Sequence, residues 1–427
     1  MSNVIKELRM KIKKIFDKLK RVFTSRGTDK SIYASVIILS VLGVVMIGSA
    51  AVGGVTDESE TITLAVRMMI SQTVFVIAGV IMMIFLARVF KTRFIGHTSS
   101  LTIYVVGIIA MIICVFWSDS KGSHAWIKLG SISIQPAEFM KIAMILILSY
   151  FLTENESSFK VKGEFRDEEM KREFYREKLL KCDVLPMILV GVVVSIGLFV
   201  QDDFGTTVIL ALICFMCFIA TPRRYYKKYK RIAWLIIAIG SVALVVLGTL
   251  VLEPYQLNRI YIWLDPLIDP SNRSYQIINS LIAFSNGGLF GLGFGNSKQK
   301  FGYIPESHND FIGAIIYEEL GLFGLALIIV PTCIIIFKLL KYSNEVKENK
   351  SKIILLGIAS YFFFHLLINL GGVSGLIPMT GVPILLVSDG GSSTICAFIS
   401  IGIAQAIIAK HNRQKYSLDS KYVPDLQ

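Results

Sequence analysis

The stretch "YIPESHNDFIGAIIYEELGLFG", residues 303–324, joins a polar, acidic segment to a long apolar run. Glu306 and Asp310 precede the run, and Glu318 and Glu319 lie within it. Charged side chains are costly inside a membrane, so those found there usually serve a functional site or belong to a buried pair. The stretch therefore predicts a membrane helix with its chemistry concentrated at one end.

Apolar runs long enough to cross a bilayer recur along the whole chain of 427 residues. Hydrophobic residues make up 54% of the chain, and the mean hydropathy is +0.63. A run of about 18 or more apolar residues spans a hydrocarbon core of roughly 30 Å. We predict an all-α polytopic membrane protein with about ten transmembrane helices. The predicted spans are residues 32–53, 66–90, 100–117, 136–152, 184–200, 206–221, 232–252, 312–337, 353–370 and 393–409.

The basic residues determine the predicted orientation. With the N-terminus in the cytoplasm, the cytoplasmic side holds 36 of the 44 Lys and Arg and the outer side holds 7, counting Arg88 and Arg67 at the ends of the second span with the sides they are nearest. Lys141 lies in the fourth span. Such an excess is typical of cytoplasmic loops. Both termini are therefore predicted to be cytoplasmic, in a multi-pass protein of the cell membrane. The net charge of +13 reflects this topology and does not indicate a nucleic-acid partner.

The topology divides the chain into three predicted regions. Residues 1–31 form a basic amphipathic segment that is expected to lie on the anionic lipids of the inner leaflet. Residues 32–409 form the membrane domain, with a cytoplasmic loop at 153–183 and a large extracytoplasmic loop at 253–311 between helices 7 and 8. Residues 410–427 form a cytoplasmic tail.

Some motifs that suggest functional sites are better explained by packing. None of the six cysteines falls in an outer segment, so no disulfide framework is predicted. Cys214 and Cys217 have metal-like spacing but lie in an apolar helix without nearby His or Asp, and we interpret them as core residues. The glycine-rich "NGGLFGLGFGN", residues 286–296, lacks the Gly-Lys-Ser/Thr of a nucleotide loop. It is expected to be a closely packed re-entrant segment.

Four unusual segments fall on the outer side in this topology. They are residues 122–141, 200–207, 253–311 and 371–393. The last two are rich in Gly and Pro yet still apolar, and irregular backbone at membrane depth must be buried in protein or line a cavity. We therefore predict a roofed, partly polar chamber at the outer face.

The fourth span carries two ionisable residues on one helix face, Glu138 and Lys141. In one interpretation they form a self-satisfied pair. In the other, Lys141 points into the chamber and meets a carboxylate or a phosphate. His365 in the ninth span is interpreted as a packed polar residue.

Asp310 also has two interpretations. It either caps the positive end of the helix that follows, or it acts as a general base held near Lys141. For the role of a base, positions 310, 314 and 318 are predicted to share one helix face, with Glu318 about 12 Å deeper along it. The outer-loop cations are candidates for gripping a pyrophosphate headgroup, because Arg forks suit phosphate; they are Arg259, Arg273, Lys298 and Lys300.

Together the four outer segments resemble the shape, elongation, division and sporulation (SEDS) family of bacterial wall proteins, which includes FtsW, RodA and SpoVE. "AWIKLGSISIQPAEFMK" at 125–141 and "GLIPMTGVPILLVSDGGSS" at 375–393 resemble its first and last outer motifs. "YIPESHNDFIGAIIYEELGLFG" resembles the acidic motif nearly position by position. "RIYIWLDPLIDP" at 259–270 and the "SYQIINSLIAF" that follows it resemble the long outer loop. The resemblance covers residues 32–409 and slightly favours the FtsW or SpoVE side.

The resemblance implies a peptidoglycan glycosyltransferase that polymerises lipid II into glycan strands for cell-wall synthesis. It implies two further kinds of partner, a class B penicillin-binding protein and divisome or elongasome proteins. It places the catalytic acid at Asp310. The substrate-binding residues that it implies are Trp126, Glu138, Lys141, Arg259, Glu306, Glu319, Ser388 and Ser392. It requires no cofactor, although a divalent cation bridging the pyrophosphate is compatible with it.

The chain departs from the family pattern at several outer positions. Asp202 stands where proline is usual, Asp389 where tyrosine is usual, and Leu385 replaces the second proline of the last motif. The residues leave two other functions open, a flippase for the lipid-linked precursor and a non-catalytic scaffold that recruits a penicillin-binding protein. A flippase would need a continuous polar path through the spans, and few polar residues lie in their inner halves.

Overall fold

The structure is a computed structural model, and it describes residues 27–53, 58–117, 124–130, 132–153, 167–179, 184–221, 254–267, 269, 274–305 and 307–419. Helices dominate the described residues, with one short hairpin at the outer side. The elements are α1 (Lys30–Ala51), α2 (Glu58–Val89), α3 (His97–Ile113), β1 (Ile127–Leu129), β2 (Ile132–Ile134), α4 (Pro136–Phe151), α5 (Glu168–Leu179), α6 (Leu185–Phe199), α7 (Phe204–Ala220), α8 (Pro254–Leu264), α9 (Tyr275–Gly287), α10 (Ile312–Glu345), α11 (Asn349–Val373) and α12 (Gly391–Asp419).

Nine of the ten predicted spans correspond to helices of the described part of the chain. Six of these helices, α1, α2, α3, α10, α11 and α12, are long and apolar enough to cross a membrane, and α6 and α7 are shorter apolar helices. The predicted span at 232–252 and most of the predicted inner-leaflet segment 1–31 lie outside the described residues. The division of the chain into regions stays a prediction.

The outer segments contain more regular structure than the sequence analysis predicted. The segment predicted as a loop at 253–311 includes α8 and α9. Residues 127–134 form an antiparallel hairpin in which Ile127 pairs with Ile134. These elements are short and amphipathic, so the hydrophobicity that reveals a membrane span does not reveal them.

The last helix, α12, is the centre of the bundle. Of its most apolar 18-residue window, 89% is buried, whereas the corresponding value for α2 is 17%. Small residues let the neighbouring helices approach closely. A side chain at Gly79 of α2 would strike Phe398 of α12, and one at Gly402 of α12 would strike the backbone of Met83. The exposed face of α2 is apolar, as expected for a helix that faces lipid.

Contacts at the inner side hold the beginning of α1 against the end of α12. Asp29 caps α1 by accepting from the Ser31 N–H at 2.9 Å. Gln405 of α12 accepts from the Asp29 N–H at 2.9 Å and donates to its carbonyl at 2.8 Å. Lys338, near the inner end of α10, forms an ion pair with the Asp29 carboxylate at 3.1 Å. The outer segments lie at the opposite end of α10, so α1 begins and α12 ends on the side away from them.

Helix α10 is broken near its outer end. Gly321 has φ +62°, outside the helical region, and divides α10 into two pieces. The carbonyls of Glu318 and Glu319 accept hydrogen bonds from Leu292 and Gly293, both at 2.9 Å. A side chain at Gly321 would strike the backbone of Leu289 and Gly291. The break therefore pairs the backbone of the re-entrant segment 286–296 with α10, which satisfies polar groups of both.

We predict that Asp29→Asn lowers stability at neutral pH by about 1 kcal/mol, because it removes the Lys338 ion pair while the amide oxygen still caps α1. Burial alone would raise the pKa of the Asp29 carboxyl. The pKa is nevertheless lowered below the usual 3.8, because the carboxylate accepts hydrogen bonds from Ser31, Lys338 and Tyr342 and lies beside the charge of Lys338. A lowered folded-state pKa gives stability that is present above pH 3.8 and lost as the pH falls through the folded-state pKa.

Thermal unfolding in detergent across a pH series measures this difference. The wild type and Asp29→Asn should converge as the pH falls through the folded-state pKa of Asp29, which lies below 3.8. A gap that persists below that pKa would contradict the charge-based account. Asp167→Asn, at an exposed carboxylate ahead of α5, is the control and should leave the melting temperature unchanged.

Candidate functional site

The four outer segments contact one another at one end of the bundle. His124 donates to the carbonyl of Gln201 at 3.0 Å, which joins the first segment to the second. A side chain at Gly205 would strike the carbonyl of Thr380, so the second segment packs against the fourth. Asp389 donates its N–H to the carbonyl of His308 at 3.1 Å, which joins the fourth to the third. The predicted convergence of these segments is therefore observed among the described residues.

Asp310 and Arg259 meet beside Gly381. A Cβ built on Gly381 would lie 3.3 Å from the Asp310 Oδ2 and 3.8 Å from a terminal nitrogen of Arg259. Gly381 has φ +72°, a conformation that side chains other than glycine rarely adopt. A carboxylate and a guanidinium thus approach the same glycine backbone from two elements of the third outer segment.

The Arg259 side chain is fixed by the same loop. Its Nη1 donates to the carbonyl of Met379 at 2.8 Å, and the residue is half-buried on α8. Trp263, one turn further along α8, donates from its indole to the carbonyl of Gly375 at 2.9 Å. Both bonds dock α8 onto the segment that follows α11. The structure therefore places Arg259, a predicted substrate-binding residue, on the loop that also lies against Asp310.

Asp310 lies in the turn before α10, and the helix begins at Ile312. The expectation that Asp310 shares a helix face with Glu318 is wrong, because Asp310 is not part of the helix. Its carbonyl accepts a hydrogen bond at 2.8 Å from the amide of Asn369, which is buried on α11. Asn369 carries no motif signal, and sequence reasoning missed it.

Glu138 and Lys141 are buried together below this site. The Lys141 ammonium lies 2.7 Å from the Glu138 carboxylate and 3.0 Å from the Nε2 of His365. Tyr361 donates to the second Glu138 oxygen at 3.3 Å. All four side chains are at most 1% exposed. The predicted pairing of Lys141 with Glu138 is therefore observed. The predicted approach of Lys141 to Asp310 is not observed among the described residues.

Glu319 is fully buried and bound by groups of the protein. It accepts from the Ser49 hydroxyl at 2.7 Å, from the Lys300 ammonium at 2.9 Å and from the Gly295 N–H at 3.0 Å. Glu318 accepts in the same way from Asn286, Ser297 and Gln299. These bonds attach the re-entrant segment to α10. Lys300, a candidate for phosphate binding, is occupied by this structural pair.

Three more of the predicted substrate-binding residues are described, and they lie around the same end of the bundle: Trp126, Ser388 and Ser392. Ser388 is buried and accepts from the Ile384 N–H at 2.9 Å, and Ser392 accepts from the Gln135 N–H at 3.0 Å. Trp126 is half-buried in the segment ahead of β1. Glu306 lies outside the described residues, as does Arg273. Ser388 thus closes a local turn, and Ser392 joins the fourth outer segment to the first.

No three His, Cys, Asp or Glu side chains form a cluster able to hold a metal ion, within the part of the chain that the structure describes. Cys214 and Cys217 are buried in the core, as the sequence analysis predicted.

Comparisons with known proteins identify the family to which this chain is similar. A family model described as a cell cycle protein, FtsW/RodA/SpoVE, matches residues 29–414. The probable peptidoglycan glycosyltransferase FtsW of Bacillus subtilis is 31% identical over 387 residues, which is 88% of this chain and 90% of that protein. The stage V sporulation protein E of B. subtilis is 35% identical over 286 residues, or 66% of this chain and 70% of that protein.

The chain belongs to the FtsW/RodA/SpoVE family. A solved chain from a study of the structural coordination of polymerization and crosslinking by a peptidoglycan synthase complex has the same fold. It superimposes with a TM-score of 0.68 at 21% identity, covering 90% of this chain and 98% of that one. As an FtsW/RodA/SpoVE protein with at least six long apolar helices, the chain is a multi-pass protein of the bacterial membrane.

The departures from the FtsW/RodA/SpoVE pattern lie within the site. Asp202 is exposed and has φ +52°, which aspartate tolerates and proline cannot adopt. Asp389 is next to His308 in the turn after α11, where burial raises the pKa of its carboxyl and the charge of His308 partly offsets that rise. Leu385 is buried in the apolar core. This member of the family therefore has a differently shaped second turn and an additional acidic group near Asp310.

We predict that Gly381→Ala lowers activity by 10-fold or more. The added methyl group would lie 3.3 Å from the Asp310 Oδ2 and would therefore push the carboxylate away from its position. Gly302→Ala is the matched control, since Gly302 has a similar φ of +79° but open space around its Cα. The initial rate of strand formation measures the effect. Equal losses in both variants would show that backbone strain alone is responsible.

We predict that Asp202→Pro, which restores the usual family residue, destabilises this protein. Proline fixes φ near −65°, so the turn between α6 and α7 would have to rebuild. That turn holds Asp203, which caps α7 and accepts from the Gln135 amide at 2.7 Å. Asp202→Gly should be neutral or stabilising in thermal unfolding. A proline variant as stable as the glycine variant would contradict the left-handed backbone at this position.

Proposed function

We propose that this chain is a peptidoglycan glycosyltransferase that polymerises lipid II at the outer face of the membrane. The observation that supports this most directly is the meeting of Asp310 and Arg259 over Gly381, in a site built from the four outer segments. The substrate class follows from the family: the matched FtsW is a probable peptidoglycan glycosyltransferase. FtsW-like division or sporulation synthesis is slightly favoured over elongation.

In the proposed reaction Asp310 is the general base. Its carboxylate takes the proton from the 4-hydroxyl of the acceptor sugar as that oxygen attacks the anomeric carbon of the growing strand. The bond from that carbon to the lipid pyrophosphate breaks, and the pyrophosphate leaves with the bonding electrons. Asp310 has the surroundings that a base needs, because it is only half-buried and lies outside the helix.

Arg259 is proposed to offset the charge that develops on the leaving pyrophosphate. A guanidinium offers paired donors to phosphate oxygens, and a fixed cation stabilises charge that appears in the transition state. The bond to the Met379 carbonyl holds the Arg259 guanidinium on the same loop that lies against the Asp310 carboxylate. A divalent cation, where one assists, is proposed to bind through the pyrophosphate.

A class B penicillin-binding protein is the proposed protein partner, acting within the division or elongation machinery. The fold is that of a chain from a peptidoglycan synthase complex that coordinates polymerization with crosslinking. A polymerase alone gives uncross-linked strands, so a transpeptidase must act on the same product.

The test is lipid II polymerisation by purified protein, with and without such a partner, for the wild type, Asp310→Ala and Asp310→Asn. Both variants should lose strand formation by on the order of 100-fold or more, because neither side chain accepts the proton. Glu345→Gln, a carboxylate-to-amide change at the inner end of α10, is the matched control and should be active.

Strand formation by Asp310→Asn at the wild-type rate would contradict the role of a base. The wild type and Glu345→Gln could also both be folded and yet make no strands with any partner. That result would contradict the proposed enzyme and favour the scaffold.

A further inference from the structure

Three polar side chains lie on one face of α11. Tyr361, His365 and Asn369 are spaced four residues apart, which places each about 6 Å further along the helix than the one before. Each is at most 1% exposed, on a helix whose buried residues are mostly apolar. Buried polar groups in a membrane helix are retained when they have partners. We call these three residues the α11 polar row.

The inner end of the row binds the buried ion pair. Tyr361 donates to Glu138 at 3.3 Å, and its ring packs edge-on against the His365 ring with centroids 4.8 Å apart. The Lys141 ammonium lies 5.8 Å from the centre of the Tyr361 ring. The row and the pair on α4 are therefore one packed unit.

His365 is fixed by its two partners in one tautomer. An ammonium only donates, so the His365 Nε2 accepts from Lys141 at 3.0 Å. A carbonyl only accepts, so Nδ1 carries the hydrogen and donates to Pro383 at 3.1 Å. A neutral imidazole thus joins the buried pair on α4 to the segment that follows α11.

The outer end of the row reaches Asp310. The Asn369 amide donates to the carbonyl of Val382 at 2.6 Å and to that of Asp310 at 2.8 Å. Val382 follows Gly381, whose backbone lies against the Asp310 carboxylate, and Met379 in the same loop holds Arg259. Two residues of the row therefore fix the loop, and one of them also fixes the backbone of the proposed base.

We infer that the α11 polar row positions Asp310 relative to Arg259, and that Lys141 and Glu138 act through this row. The inference rests on the proposed function, since it concerns the placement of the proposed base. His365 and Asn369 are then positioning residues. A displacement of about 1 Å at a reacting group lowers a rate by on the order of 100-fold, so such residues affect turnover more than substrate binding.

The test is the same polymerisation assay with substitutions in the row, with kcat and KM for lipid II measured separately. His365→Leu removes both hydrogen bonds, and Asn369→Leu has a similar size but can donate to neither carbonyl. Each should lower kcat by 10-fold to 100-fold and change KM by less than about 3-fold. His365→Gln keeps an acceptor for Lys141 and a donor for Pro383, and should restore kcat to within about 5-fold of the wild type.

Ser360→Ala is the matched control on the same helix. Its hydroxyl is buried and donates to the carbonyl of Leu356 in its own helix at 2.9 Å, outside the row. It should have wild-type kcat, and the folded fraction of every variant is measured by thermal unfolding. Losses that only follow the folded fraction, or a His365→Gln variant no better than His365→Leu, would overturn the inference.

Asp310→Ala in the same experiment separates this inference from the proposed function. If Asp310→Ala is inactive while the row variants have wild-type kcat, the positioning role fails and the proposed function stands. If Asp310→Ala is fully active, the proposed base itself is wrong, and the row cannot position it.

Discussion

Every polar group that this protein carries into the membrane must be satisfied by the protein itself, and the outer half of the structure depends on that constraint. An unpaired charge or an open backbone N–H has no water to bind in the hydrocarbon core. The break in α10 at Gly321 is one example. The carbonyls of Glu318 and Glu319, which lose their helical partners there, accept hydrogen bonds from Leu292 and Gly293 of the re-entrant segment. In the described part of the outer site, the irregular backbone around Gly321 is one place where such bonds are available.

The constraint separates the acidic residues into two classes. Glu138, Glu318 and Glu319 are fully buried, and each is bound by groups on other parts of the chain. They join segments and have no surface left for a substrate. Asp310 is half-buried and lies beside an arginine over a glycine. Of the acidic-motif carboxylates that the structure describes, Glu318 and Glu319 thus join segments, which leaves Asp310 as the one proposed for chemistry.

Much of this arrangement could be predicted from the sequence. The apolar runs predict nine of the described helices, and the spacing of Glu138 and Lys141 predicts their contact. The sequence cannot predict that His365, 224 positions from Lys141, completes the pair, because a single histidine in an apolar helix carries no pairing signal. The approach of Gly381 to Asp310 depends in the same way on the fold of two distant segments. Helices α8 and α9 were missed because they are short and amphipathic.

An experimental structure of the protein with a non-reactive lipid II analogue would test the central claim most directly. The account predicts that the acceptor 4-hydroxyl lies about 2.6–3.2 Å from an oxygen of Asp310 and that the pyrophosphate contacts Arg259. A sugar hydroxyl bound elsewhere, with Asp310 turned away and Arg259 still on the Met379 carbonyl alone, would contradict it.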